Sequence, residues 1–314
     1  MIFGLLARDL QSIKFSVIDN SFRWIKSVSN FGNLLKRRIP HNINVGRKKP
    51  LEFKMQDSWQ SGDPYEYYMG RWSKLAADQF VDWLSPNPGL HWLDVGCGTG
   101  ALSASVINRH LPATVIAIDQ SEGFVRSAQQ RLGSKANCKV GNAMSIPLED
   151  ASVNIAVSGL VLNFIQEPEK ALAEMKRVTS KSGTVAVYIW DYAGKMEFLK
   201  HFWDTVVELN PGASNFHEGY RFANSNAEQL IDIFNRVGFS EVEAAPLEIV
   251  THFIDFNDYW KPFIGSQGPA PTYVSKLKDL ERNKLREALA QKLPVKEDGS
   301  ILLSARAWAT KGIV

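Results

Sequence analysis

The stretch Asp94-Val-Gly96-Cys-Gly98-Thr-Gly100, set directly behind the apolar run His91–Val95, constrains the fold of this chain more than any other feature. A short strand that runs into closely spaced glycines and then into a helical pattern, here Ala101–Arg109, is a strand–turn–helix unit. Glycine suits such a turn because it adopts positive φ at no steric cost and lets the backbone approach a ligand. The unit repeats in looser form. Thr114–Ile118 reads as a second strand ending at Asp119, Ser121–Leu132 as a helix, Cys138–Val140 as a third strand, and the alternation Val153, Ile155, Val157 as a fourth. Pro168 opens a helix reaching Val178, Ser182-Gly183 turns the chain, and the β-prone Thr184–Trp190 makes a fifth strand. Strands alternating with helices at this spacing imply an α/β fold, a doubly wound and mostly parallel sheet with its ligand crevice at the carboxyl ends of the strands.

The flanks are less regular. Trp72, Ala76, Phe80 and Trp83 share one helical face in a segment that starts near Tyr65 and stops before Pro86 and Pro88. After Trp190 the pattern predicts a helix over Met196–Leu209 and a capping box Ser225-x-x-Glu228 opening a helix that ends at Gly238. A long strand Glu241–Phe253, an aromatic helix Asp255–Ile264, a helix Val274–Leu293 and a last strand Ile301–Thr310 follow. With 314 residues and 45% apolar side chains, the chain can bury one large α/β core, and no linker interrupts it after residue 55. No apolar run approaches the ~18–20 residues of a membrane span.

Charge divides the chain differently. The first 50 residues carry ten Lys/Arg against Asp9 and Asp19, whereas the remainder carries 26 basic and 31 acidic side chains. The expected organisation is therefore a basic leader over 1–54 and a mildly acidic domain over 55–314. A mildly acidic domain argues against a surface that coats nucleic acid. For the leader three readings stand: a disordered extension, an organelle transit peptide, and a membrane-surface helix built on Phe15, Ile18, Phe22 and Ile25. Cys97 and Cys138 form no Cys-x-x-Cys pair, so neither a disulfide framework nor a metal site is expected. A reducing, cytoplasmic location follows, with organelle targeting through the leader as the alternative.

Charge also selects the ligand of the glycine loop. With Ala101 in the last position, the loop satisfies both G-x-G-x-x-G/A and D-x-G-x-G-x-G. A dinucleotide would bring its pyrophosphate to the helix N-terminus. A carboxylate at Asp94, two residues before the first glycine, would repel it. S-adenosylmethionine carries a sulfonium and an ammonium group and no phosphate, so Asp94 suits that cofactor. Asp119, 19 residues after Gly100 at the end of the second strand, can accept from both hydroxyls of a ribose. Cys97, wedged between glycines, reads as a small buried filler.

These residues stand in stretches that resemble the class I S-adenosylmethionine-dependent methyltransferases: LDVGCGTGALS (93–103), AIDQSEGFV (117–125), VGNAMSIPLED (140–150) and SGLVLNFIQEPEKALAEMKRV (158–178). The resemblance covers about residues 65–190 and is to the small-molecule branch that includes quinone-biosynthesis methyltransferases. YEYYMGRWSKLAADQFVDWL (65–84) and ARAWATKG (305–312) resemble one bacterial-type subfamily within it. The resemblance implies a Rossmann-like fold with helical lid elements over 55–314, its cofactor core at 65–190 and its substrate chamber at 191–314. It also implies that Gly96, Gly98 and Gly100 pass under the methionyl and ribose parts while Asp94 supports the amino group. Asp119 would hold the ribose, Gln120 and Ser121 would lie beside the adenosine, and Ser158 with Gly159 would border the sulfonium. Where the family commonly has an acidic residue toward the adenine amino group, this chain has Asn142, followed by Ala143. The Asn142 side-chain oxygen can still accept that hydrogen bond.

Methyl transfer is an in-line displacement at an already activated methyl, so the protein supplies chiefly alignment and desolvation. The Asn/Asp-Pro-Pro-Tyr/Phe box of base-directed enzymes is missing from Ser158–Asn163, and no nucleic-acid acceptor is expected. The expected partner is a small apolar or aromatic acceptor methylated at oxygen or carbon. A non-catalytic cofactor-binding protein is the rival reading, because cofactor motifs report binding alone. If a base is needed, Asp191, directly after the fifth strand, is the first candidate, with His217 and His252 behind it. Tyr65, Tyr67, Tyr68 and Trp72 surround Arg71. Either these rings staple a helix to the sheet, or they form a lid in which Tyr65 closes over the cofactor and Arg71 grips its carboxylate. Trp190, Trp203, Tyr259, Trp260 and Phe263 read as a second aromatic wall or as core.

Overall fold

A computed structural model describes residues 66–265 and 268–314; the basic leader, and with it Tyr65, lies outside the described residues. Seven strands form one sheet: β1 (His91–Val95), β2 (Thr114–Asp119), β3 (Asn137–Val140), β4 (Val153–Gly159), β5 (Thr179–Trp190), β6 (Ser240–Phe253) and β7 (Ile301–Ile313). Their spatial order is β3-β2-β1-β4-β5-β7-β6. The first five pair in parallel, and β7 enters antiparallel between β5 and β6. Strand order reverses between β1 and β4, which opens a crevice at their carboxyl ends.

Period-two alternation distributes the core over both faces of the sheet. Trp92, Val115, Ile155, Tyr188 and Trp190 are buried on one face, and Leu93, Ile118, Ala156, Val187 and Ile189 on the other. The first face is covered by α1 (Arg71–Leu84), α2 (Ala101–His110) and, further along the chain, α5 (Glu197–Leu209). On α1 the buried residues Trp72, Ala76 and Phe80 follow the helical repeat expected of them, and the helix ends at Ser85 in the left-handed conformation. The second face takes α4 (Pro168–Val178) and α7 (Ala227–Val237) through Leu172, Met175, Leu230 and Phe234. Between these lie α3 (Glu122–Leu132), which follows β2, and the single turn α6 (Glu218–Arg221).

Three local expectations change. The cap of α7 is Asn226, whose side chain accepts from Gln229 N at 3.0 Å, one residue beyond the expected Ser225. The aromatic segment after β6 is a short helix α8 (Phe256–Trp260) followed by a tighter turn at Lys261–Phe263, because Pro262 has no N–H to continue the helix. The expected helix Val274–Leu293 is two helices, α9 (Pro269–Ser275) and α10 (Asp279–Lys292), parted at Lys276–Lys278. No helix among the described residues is long and apolar enough to cross a membrane.

Candidate functional site

The glycine loop forms where β1 ends. Gly96 and Cys97 both donate their N–H to the Ile118 carbonyl, at 2.8 and 2.9 Å, which draws the turn toward β2. Gly96, Gly98 and Gly100 have φ of 74°, 53° and 82°, the left-handed region in which a side chain is strained. At Gly96 a Cβ would also stand 2.7 Å from a methyl of Val161, so the close approach of the loop to the β4 turn requires glycine.

Asp119 ties this loop to the next. Its Oδ2 accepts from Gly98 N at 3.0 Å and its Oδ1 from Ser121 N at 2.9 Å. Each oxygen keeps lone pairs for a further donor. Burial raises the pKa of Asp119, and the two backbone donors oppose that shift. Asp94 is more deeply enclosed. Ser103 Oγ donates to its Oδ2 at 2.7 Å, and its Oδ1 is buried with no partner among the described residues. Burial pushes this carboxyl up to about 7, Ser103 works against the shift and the nearby Asp119 adds to it. A bound ammonium group would give the orphaned oxygen a partner and draw this carboxyl back to its charged form, which a phosphate could not do.

Asp94, Gly96, Gly98, Asp119, Gln120 and Ser121 line one cavity of about 180 Å³. Its remaining wall is largely apolar: Met69, Phe124, Leu160, Phe164, Tyr188, Trp190 and Tyr192. A second cavity of about 360 Å³ shares Gly96, Asp119, Gln120, Val161 and Phe164 with the first and continues to Asn142 and Ala143. Together they make one trench across the carboxyl ends of β1, β2, β3 and β4. Asn142 Oδ1 accepts from Met144 N at 2.8 Å, so one lone pair of the oxygen expected to face an adenine already closes a turn.

Several expected residues stand elsewhere. Ser158 is buried beneath the trench and donates to the Val95 carbonyl at 2.7 Å; Gly159 lines the cavity in its place. A Cβ at Gly159 would lie 2.6 Å from the Tyr188 hydroxyl, so that position admits only glycine. Arg71 is outside the trench. Its Nη1 reaches both Asp258 carboxylate oxygens at 3.1 Å, and its guanidinium stacks over Trp72 and Phe253 at 4.2 and 4.8 Å. An aspartate holds Nη1 and two ring faces toward β6 flank the guanidinium, whose Nε and Nη2 are buried with no hydrogen-bond partner among the described residues. Tyr68 and Trp72 pack on Phe198, Phe263 and Phe253, as the staple reading expects.

None of the three base candidates lines the trench. Asp191 accepts from Arg306 Nε at 2.8 Å and from Gly194 N at 2.8 Å, closing the turn after β5. His217 accepts from Gly219 N at 3.0 Å through Nδ1 and contacts Asp204 at 3.1 Å through Nε2, which makes it the cap of α6. His252 lies exposed on β6 opposite Leu302. Trp203, Tyr259, Trp260 and Phe263 are core; only Trp190 of that group reaches the cavity.

Two features escaped the sequence reading. One is the company of Trp190, itself read as a wall or core residue: Tyr188 and Tyr192, two residues to either side, line the cavity with it, a period-two signal at the end of β5. The other is a clasp: Glu66 accepts from Thr99 Oγ1 and pairs with Arg131 Nη2 at 2.7 Å, fastening the turn before α1 to the glycine loop. Thr99 lay in the glycine loop and Glu66 in the stretch 65–84, but no pattern along the chain linked either to Arg131.

Comparison with known proteins places these features in a wider set. A family model described as a methyltransferase domain matches residues 93–187. The ubiquinone/menaquinone biosynthesis C-methyltransferase UbiE of Dinoroseobacter shibae is 30% identical over 181 residues, 53% of this chain and 72% of that protein. The malonyl-[acyl-carrier protein] O-methyltransferase of Serratia marcescens is 34% identical over 122 residues, 39% of this chain and 46% of that protein. The chain thus spans about half the length of several curated relatives that it matches. A crystal structure from Bacillus halodurans, assigned to the methyltransferases, superposes with a TM-score of 0.50 at 14% identity, over 76% of this chain and 97% of that one; this is a likeness of fold.

Proposed function

The chain belongs to the class I S-adenosylmethionine-dependent methyltransferases, and we propose that it moves the methyl group of that cofactor to oxygen or carbon of a small apolar or aromatic acceptor. The observation that carries this reading is the buried, unpartnered Asp94 Oδ1 in the wall of the glycine-loop cavity. S-adenosylmethionine supplies a methyl group already activated by its positive sulfur, so the protein needs no nucleophile of its own. Asp94 would hold the ammonium group, and Asp119 the ribose hydroxyls, with Gln120 and Ser121 beside them. Asn142 and Ala143 border the space left for the base.

The acceptor side follows from the rest of the lining. Tyr188, Trp190, Tyr192, Phe164 and Met69 offer ring faces and a thioether, which orient a flat apolar molecule and exclude water. Alignment of this kind contributes ~7–11 kcal/mol in well-oriented reactions. Asp191 and His217 are committed elsewhere and His252 lies exposed on β6, outside the trench, which favours an acceptor that needs little proton removal. The missing base-flipping box supports a small molecule over a nucleic acid, and the two free cysteines support a cytoplasmic location.

Calorimetry and transfer of labelled methyl test the reading. The protein should bind S-adenosylmethionine and its demethylated product and not NAD. Incubated with labelled cofactor and a cell extract, it should place label in the solvent-extractable small molecules. Tighter binding of NAD, or label confined to nucleic acid, overturns it.

A further inference from the structure

A groove of about 750 Å³ lies next to the trench, on the other face of β5, where Ile189 rather than Trp190 forms its floor. The two spaces share an aromatic partition. Phe222 lines the groove and packs against Phe164 at 5.2 Å and Tyr192 at 5.0 Å, both of which line the cavity. Phe222 is half-buried and closes the single-turn helix α6, so one ring at the end of a short element divides the spaces.

The groove offers carboxamides beside the charged Glu167, Glu169, Lys170, Arg221 and Arg236. Asn163, Gln166, Asn224 and Gln229 all line it. Its rim charges are engaged with their own neighbours: Lys170 meets Glu167 at 3.8 Å, Arg236 meets Glu169 at 2.8 Å, and the Arg221 guanidinium lies over Phe222 at 5.1 Å. Asn163 is the informative residue. It sits in the turn between β4 and α4, and both its Oδ1 and its Nδ2 are buried with no partner among the described residues. Such a group is rare in native proteins, because a buried donor and acceptor left unmade are both costly. A ligand that brings a donor and an acceptor side by side removes that cost, and an amide does so.

Resting on the methyltransferase reading above, we infer that the groove is a second acceptor subsite. It takes a neutral, amide-bearing tail, recognised by Asn163, while the methyl-accepting end passes Phe222 into the aromatic cavity. Engaged rim charges leave neutral hydrogen bonding as the groove's means of recognition, and the carboxamides supply donors and acceptors in equal number. Asn163 is a specificity residue in this scheme and takes no part in the transfer itself.

The test uses the full chain loaded with S-adenosylhomocysteine and two probes of similar length, N-octanoylglycinamide and 1-decanol, measured by calorimetry. The amide probe should bind at least tenfold more tightly. Asn163→Leu should abolish that preference, keep S-adenosylhomocysteine affinity within twofold, and melt a few degrees higher because two unsatisfied polar atoms are gone. The raised melting temperature reports only that both polar atoms lack partners in the free protein; the lost preference is the readout that a merely structural asparagine would not show. The exposed pair Gln166→Ala/Asn224→Ala leaves the core untouched and should lose at least threefold of the preference if Asn163→Leu does not fold. Equal affinity of the two probes for the natural chain, or a preference that survives these variants, overturns the subsite and leaves the methyltransferase reading standing. Failure to bind S-adenosylhomocysteine overturns both.

Discussion

Replacing Asp94 by asparagine should stabilise the ligand-free protein at pH 8 and weaken its hold on S-adenosylmethionine. The Asp94 carboxyl is pushed from an ordinary 3.8 up to about 7 by burial. Its folded pKa lies above the unfolded one, so the folded state keeps the proton through the window between about pH 4 and pH 7. The resulting penalty is absent below that window, grows as pH rises through it, and is complete above it. Three pK units at ~1.4 kcal/mol each amount to ~4 kcal/mol. Asparagine keeps the acceptor for Ser103 Oγ but buries an amide that wants its own partner, at a cost of about 1–3 kcal/mol. The net gain at pH 8 is then about 1–3 kcal/mol. A cleaner quantity is the change with pH, because the cost of the buried amide cancels. Between pH 5 and pH 8 the stability difference between Asp94→Asn and the natural chain should grow by ~2–3 kcal/mol, read from urea unfolding at each pH. Calorimetry at pH 8 should show at least a tenfold loss of cofactor affinity, since a charged partner for the ammonium is gone. A stability difference that stays constant with pH would refute the argument, for it would mean that Asp94 ionises without penalty in the folded protein.

Two further outcomes follow. Asp119→Ala should weaken S-adenosylmethionine binding at least tenfold, as it removes the acceptor for Gly98 N and Ser121 N together with that for the ribose; an unchanged dissociation constant with an intact circular dichroism spectrum would exclude Asp119 as the ribose ligand. Arg71→Ala should leave cofactor affinity within twofold and lower stability by about 1–2 kcal/mol, from a part-exposed ion pair with Asp258 and stacking on Trp72 and Phe253, measured by calorimetry and urea unfolding.

The sequence by itself determined what depends on a few neighbouring residues. Short apolar runs marked β1 and β2, and the alternation Val153, Ile155, Val157 marked β4, to within a residue or two, because strands covered on both faces of a sheet must carry apolar side chains toward each. Closely spaced glycines marked a turn of positive φ, and the order Asp94, glycines, Asp119 was enough to recognise a cation-tolerant nucleoside site. Those features are local, and the backbone obeys them whatever the rest of the chain does. Tertiary structure alone decided that Arg71 and Asp191, polar candidates outside the glycine loop and the β2 turn, do not line the trench. Arg71 was drawn aside by Asp258, 187 residues further on, and Asp191 by Arg306, 115 residues further on. No window along the chain contains both members of either pair. The antiparallel insertion of β7 between β5 and β6 is non-local in the same way, and so is the partition of Phe164, Tyr192 and Phe222. A titratable residue at the end of a strand can reach a crevice or a distant partner with equal local propriety. Which one it reaches is fixed by the lower free energy of a buried charge that finds its counterion.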